Sequence, residues 1–279
     1  MTESGYASDP GGGVGSGAAT PLWVASGSAL NDLDTCELLF TLKNRERVEG
    51  GEDTKARLIG TAVHESLAAW WGGRGEPEEA LRFVFERPLA LSFLKCYASL
   101  RTPIRESSRI LVVEEAQSSG GYGGILDLAL GDSEGEIVVD HKTTGSGITG
   151  AWAQQWQHSE TLAGYAALRN TNRVVVDAIQ IPRSGLFRLE HFGWYEFDYA
   201  AQAQMFKELR GAKIARAVAL VGGKERPKRN TRSCYRYNRL CEFAPLCFGA
   251  EEEFEATLHR MMESGELKVR ETHIQERPD

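Results

Sequence analysis

No stretch of this sequence approaches the ~18–20 consecutive apolar residues that a membrane-crossing helix needs, so a spanning helix is excluded. Nor does a basic segment followed by an apolar core stand at the N-terminus. A secretory signal is therefore not expected, and a cytoplasmic protein is. Cysteine is scarce: five in 279 residues, unevenly placed, too few for a secreted disulfide scaffold. Positive charge is in deficit overall, with a net charge of −7, which argues against a uniformly basic surface. The deficit is local, however. From Lys207 to Arg239 eleven Lys or Arg face only Glu208 and Glu225, a local net of 11 − 2 = +9, while acid collects at Glu251, Glu252, Glu253 and Glu255. A basic stretch on an acidic protein suits a track for a polyanion; the alternative is a solvated helix face followed by a turn.

Residues 1–20 are rich in Gly, Ser and Ala and read as a disordered tail. Folded structure is expected over 21–250, and 251–279 reads as a charged C-terminal helix and tail. Ser28 ahead of Ala29, Leu30, Leu33, Leu38 and Leu39 predicts a capped helix carrying Cys36. Ile59, Val63, Leu67 and Trp70 lie at helical spacing over 56–71, closed by Gly72-Gly73. Residues 44–56 read as a polar loop and 76–100 as helical. Three β-rich runs follow, 110–113, 125–130 and 136–139, separated by the glycine-rich 120–124 and the turn 131–135, and they predict an antiparallel meander. A helix over 151–169, strands over 174–181 and 187–197 and an Ala-rich helix over 199–221 complete an α/β sandwich around a mixed sheet.

Inside this frame Asp127 interrupts the apolar strand Ile125–Leu130, and Asp140 ends Ile137-Val138-Val139. Lys142 lies two residues on, so strand alternation puts it on the same face as Asp140. A turn of about five residues makes the two strands neighbours and brings Asp127 toward Asp140. Two carboxylates converging beside an apolar core need a compensating cation. Mg²⁺ or Mn²⁺ with oxygen ligands would supply it and activate water for attack on a phosphoryl group, with Lys142 orienting or deprotonating that water. Alone, D-x-K also arises by chance at strand ends.

The conjunction of motifs narrows the reading. Gly60-Thr61-Ala62-Val63-His64-Glu65 resembles the helical first motif of RecB-type nucleases within the PD-(D/E)XK superfamily. Gly124-Ile125-Leu126-Asp127 is similar to their G-x-x-D motif, and Val139-Asp140-His141-Lys142-Thr143-Thr144 to their D-x-K-T motif. Order and setting match over roughly residues 28–248. The resemblance implies a restriction-endonuclease-like mixed sheet flanked by helices. It implies His64, Asp127 and Asp140 as metal ligands, joined by the backbone carbonyl of His141, with Lys142 as the catalytic lysine. Glu114 or Glu115 resembles the acidic residue that often precedes G-x-x-D. The fourth family motif, Q-x-x-x-Y, keeps Tyr165 as a further catalytic candidate but has Thr161 in place of glutamine; Gln157, one turn earlier, is a possible substitute. His64 and Tyr165 also have bland readings, as a partly buried histidine and a core aromatic.

Cys234, Cys241 and Cys247 crowd a short irregular segment, one thiolate short of a four-cysteine site, and Cys36 is the natural fourth. Iron–sulfur, zinc and unligated cysteines all remain open on the residues alone. The arrangement resembles the iron–sulfur branch of RecB-type nucleases, which includes AddB-like helicase–nucleases and CRISPR adaptation exonucleases. There one cysteine precedes the core and three follow, clasping a [4Fe–4S] cluster. That implies a structural clasp joining N- and C-terminal segments; Cys96 has no assigned role. The combined expectation is a bacterial or phage-encoded, Mg²⁺- or Mn²⁺-dependent deoxyribonuclease, an exonuclease on single-stranded DNA or duplex ends. A helicase or recombination partner and a homo-oligomer are compatible with it. Tyr235, Tyr237 and Phe243 would stack on bases or pack around the cluster. The competing readings are a catalytically inactive DNA-binding module of a recombination or repair assembly, and an iron–sulfur electron carrier.

Overall fold

The computed structural model describes residues 24–50, 54–236, 239–249 and 251–269; the glycine- and serine-rich stretch 1–20, Tyr237 and the tail 270–279 lie outside the described residues. In chain order the elements are α1 (Gly27–Thr35), α2 (Glu37–Asn44), β1 (Val48–Gly50), α3 (Lys55–Gly72), α4 (Pro77–Leu81), α5 (Arg87–Ser107), β2 (Arg109–Ser119), β3 (Tyr122–Asp132), β4 (Gly135–Thr144) and α6 (Gly150–Gln154). After these come α7 (Glu160–Arg169), β5 (Arg173–Gln180), β6 (Phe192–Asp198), α8 (Ala200–Val221), β7 (Tyr235–Arg236), β8 (Arg239–Leu240), α9 (Ala244–Phe248), α10 (Phe254–Glu263) and β9 (Leu267–Val269).

Five strands form a mixed sheet in the order β2-β3-β4-β5-β6. β2, β3 and β4 make the antiparallel meander that their spacing predicts, β5 runs parallel to β4, and β6 returns antiparallel. The first hairpin closes on Gly120 and Gly121, at φ 59° and 79°, between the paired residues Ser119 and Tyr122. Positive φ at both positions is the type I′ geometry whose twist suits a two-residue hairpin. Tyr122 therefore belongs to the strand, not to the turn its glycine neighbours suggest, and it is fully buried.

Helices cover both faces of the sheet. On one, Leu30, Leu162, Ala166 and Phe206 of α1, α7 and α8 pack on Val138, Val174 and Val176. On the other, Leu67, Trp71, Phe93 and Tyr97 of α3 and α5 pack on Leu128, Val139 and Val175. Burial on both sides explains why β4 and β5 read as continuous apolar runs. A smaller cluster joins the chain ends: Cys36, Leu38, Leu42 and Val48 meet Phe243, Leu246, Met261 and Leu267.

Three local expectations change. The helix expected from Ser28 through Cys36 is capped by Ser26 and ends at Thr35, and Cys36 is an extended residue between α1 and α2. The helix read over 151–169 is two helices, because Ser159 caps a new one, its Oγ accepting from Leu162 N at 3.4 Å. Without Pro or Gly at the break, apolar spacing alone does not register it. The polar loop at 44–56 contains β1, which pairs antiparallel with β9. That partner lies some 220 residues away, beyond any local pattern.

Phe93 is fully buried between α5 and the sheet. Phe93→Ala should destabilise by about 3–5 kcal/mol, read as a lower urea midpoint at unchanged slope.

Candidate active site

β3 and β4 are paired from Asp132↔Gly135 to Leu128↔Val139 and no further. Asp127 and Asp140 stand just past the last pair, where the strands part. In the gap the His141 backbone N–H donates to Asp127 Oδ2 at 2.8 Å. Asp140 and Lys142 share the α7 side of the sheet, and Lys142 Nζ lies 2.6 Å from Asp140 Oδ2. Lys142 also lies 5.2 Å from the Trp156 ring centre, in the turn between α6 and α7.

From α3, His64 presents Nδ1 at 3.5 Å from Asp127 Oδ2 and 3.6 Å from Glu114 Oε1. Of the two acids the sequence leaves open, Glu114 is the one brought to the site. Its neighbours pair as Val113↔Leu128 and Glu115↔Leu126, which sets Glu114 opposite Asp127. Its φ of 44° is rare for a residue with a side chain and carries local strain. Glu115 is exposed and accepts from Gln117 Nε2 at 2.6 Å.

The charges are strongly coupled. Burial disfavours a charged His64, but its hydrogen bonds to Asp127 and Glu114 and the nearby carboxylate charges prevail and raise it to about 10. Burial likewise opposes an ionised Asp127, but His64, His141 and Lys142 bring it down to about 2. Asp140 moves up, through burial and the charge of Asp127, against the pull of Lys142. Burial opposes the Lys142 charge, and Asp140 and Asp127 outweigh it, so Lys142 is held as an ammonium. Tyr165 is pushed above its usual range by burial and the same carboxylates.

The donor set at this opening fits a divalent cation. Among the described residues, His64, Glu114 and Asp127 form a group of three ligand atoms all within 4.8 Å of one another. Asp140, ion-paired to Lys142, adds a hard oxygen donor in the adjoining cavity, and the set of carboxylate oxygens with one imidazole suits Mg²⁺ or Mn²⁺. The His141 ring lies on the α3 and α5 side of the sheet, its Nδ1 3.1 Å from Asp177 Oδ2 and its centre 6.0 Å from that of His64.

Two cavities meet at the site. One, about 1440 Å³, runs over β2 past His64, Glu114, Arg74 and Arg105. The other, about 930 Å³, holds Asp127, Asp140, Lys142, Trp156 and Tyr165. Both are lined by Ala116 and Ile125. Gly124 allows the close approach of Tyr165, because a Cβ there would stand 2.7 Å from the ring. Thr161 is held by Asn31, whose Nδ2 donates to its Oγ1 at 3.2 Å. Gln157 is exposed and does not line either cavity.

The basic stretch is partly committed elsewhere. Lys213 bonds Asp34 and Glu160 at 2.6 Å, and Arg216 bonds Glu37 at 2.6 and 2.8 Å, so these residues of α8 staple it to α1, α2 and α7. Arg229 donates to Cys247 O at 3.2 Å. Phe243 is buried against the cysteines, whereas Tyr235 is exposed.

Cys36, Cys241 and Cys247 belong to that third cluster, Cys234 lies beside Cys241 and Cys247, and all four are unbridged. The Asn230 N–H donates to Cys36 Sγ at 3.5 Å, and the Cys241 N–H to Cys234 O at 2.6 Å. Burial, with Cys234 and Cys36 nearby, pushes the Cys247 thiol up to about 12. Cys96 lies apart, its Sγ 3.5 Å from Phe187 O. Two features escaped the sequence reading: Trp156, and a buried network around Asp177. The latter did leave a signal, a single carboxylate within Val174–Ile179, the same mark that singled out Asp127.

The family model of the PD-(D/E)XK nuclease superfamily matches residues 24–248. The chain matches no curated protein. Among solved structures it is similar to a candidate exonuclease from Eubacterium rectale, at 14% identity and TM-score 0.48, covering 78% of this chain and 89% of that one. A phage-related exonuclease from Haemophilus somnus has 12% identity and TM-score 0.39, covering 72% and 96%. An alkaline exonuclease from Laribacter hongkongensis has 12% identity and TM-score 0.34, covering 73% and 90%.

In metal-free protein, histidine NMR should find His64 charged up to about pH 10, against an ordinary value of 6.5. Asp127→Asn should bring that titration down toward the ordinary value. Its stabilising contribution should be complete below pH 6.5 and fade as pH rises through about 10.

Proposed function

Since this chain belongs to the PD-(D/E)XK nuclease superfamily, we propose that it is a Mg²⁺- or Mn²⁺-dependent deoxyribonuclease that works as an exonuclease on single strands or duplex ends. The observation that carries this reading is the convergence of His64, Glu114, Asp127 and Asp140 beside Lys142, at the junction of two open cavities.

His64, Asp127, Asp140 and the His141 carbonyl would hold the ion, with Glu114 at its edge. When bound, the ion supplies positive charge against the phosphoryl oxygens and acidifies water. Lys142, kept as an ammonium by its carboxylates, serves better to orient the attacking water and stabilise phosphoryl charge than to remove a proton. Tyr165 keeps its proton and can donate to a phosphate oxygen in the same cavity. Arg74 and Arg105, in the larger cavity, suit the backbone phosphates of the strand beyond the cleavage point.

Cys36, Cys234, Cys241 and Cys247 are proposed to hold a [4Fe–4S] cluster of structural role. Cys36, Cys241 and Cys247 share one apolar cluster, Cys234 lies close enough to Cys241 and Cys247 to raise both thiols, and a cationic centre would relieve that crowding. The clasp would tie α2 to the segment after α8.

End-labelled single- and double-stranded DNA should be digested from its ends with Mg²⁺ or Mn²⁺ and spared in chelator. Lys142→Ala should lower the rate by about 10²–10⁴-fold; metal-dependent cleavage at the wild-type rate in that variant would rule the mechanism out. Anaerobically purified protein should absorb broadly in the visible, and Cys36→Ala should remove the band. Full visible absorbance in that variant would count against the clasp.

A further inference from the structure

Asp177, on β5, is fully buried. It accepts from Tyr97 Oη at 2.8 Å and from Arg101 Nε and Nη2 at 3.2 and 2.7 Å, and it lies 3.1 Å from His141 Nδ1. Tyr97 in turn accepts from Trp71 Nε1 at 2.8 Å, and Arg101 also reaches Gly193 O at 2.9 Å. Arg101 and His141 keep Asp177 ionised against the effect of burial. An ionised carboxylate only accepts, so the hydrogen between the two lies on His141 Nδ1. A buried ion pair of this kind adds little net stability over apolar packing. Its geometry is more informative: α5 grips, through Asp177, the one residue between Asp140 and Lys142.

That residue does two things at once. Its ring is on the α5 side of the sheet, while its backbone N–H carries the Asp127 carboxylate at 2.8 Å. β3 no longer pairs with β4 at this point, so residue 141 is held by the ladder only on the β5 side, where it stands in register with Asp177. We propose that Asp177 is a positioning residue of the active site: by anchoring the His141 ring it fixes the His141 backbone, and with it the spacing of Asp127, Asp140 and Lys142. The effect on catalysis rests on the nuclease reading above; the anchoring does not.

The test begins in metal-free protein. In Asp177→Asn the amide hydrogen of His141 should exchange about tenfold faster or more, while Val139, within the paired part of β4, keeps its protection. Mn²⁺ uptake without DNA, followed by calorimetry, should weaken about 10–100-fold, as for other groups that orient ligands from behind. DNA binding in chelator should be unchanged. If Asp177→Asn does not accumulate folded, His141→Ala removes the other end of the contact and should give the same two changes at residue 141 and in Mn²⁺ affinity. Unchanged exchange at residue 141, or faster exchange with wild-type Mn²⁺ affinity, would overturn the proposal. A wild-type protein that takes up no Mn²⁺ would instead overturn the nuclease mechanism, with the exchange measurement still deciding the anchor.

Discussion

Where β3 and β4 part beyond Leu128 and Val139, their backbone groups lose the ladder that satisfied them, and a buried N–H cannot be left without an acceptor. The His141 N–H takes the Asp127 carboxylate in place of a strand partner. One hydrogen bond therefore completes the backbone of β4 and aims an acid across the gap. The rest of the site is arranged around that opening. α3 brings His64 from one side of the sheet, α7 and the preceding turn bring Tyr165 and Trp156 from the other, and β2 adds Glu114 through a left-handed kink.

The charge in this opening explains the perturbed groups. Glu114, Asp127 and Asp140 face His64 and Lys142, so in the absence of a divalent ion the two bases retain their protons and Asp140 resists ionisation. Under the proposed mechanism a divalent cation would take over part of that compensation. Outside the site, charges have structural work. Lys213 and Arg216 spend theirs on Asp34, Glu160 and Glu37, which joins α8 to the N-terminal helices and sets the frame from which Cys36 meets the cysteines after α8.

Much of this was legible from local pattern. The meander, the apolar runs of β4 and β5, the helix bearing His64 and the lone acids at 127 and 140 all leave periodic or compositional marks in the sequence. Glu114 against Glu115 was not legible, because the choice depends on one backbone torsion. Nor was the fate of the basic stretch, since ion pairing with Asp34 and Glu37 joins residues about 180 apart. The break between α6 and α7, which sets Trp156 over Lys142, hides in a segment whose apolar spacing continues through it.

By itself the sequence determined the chemistry available here: which acids interrupt apolar strands, which lysine follows by two, and which cysteines cluster. Those are properties of short windows, governed by strand and helix periodicity. Only the tertiary structure decided which acid of an adjacent pair faces His64 and Asp127, that Asp177 stands behind His141, and that a distant strand, β9, pairs with β1. Each of these depends on two segments far apart in the chain being brought together, and no local periodicity carries that information.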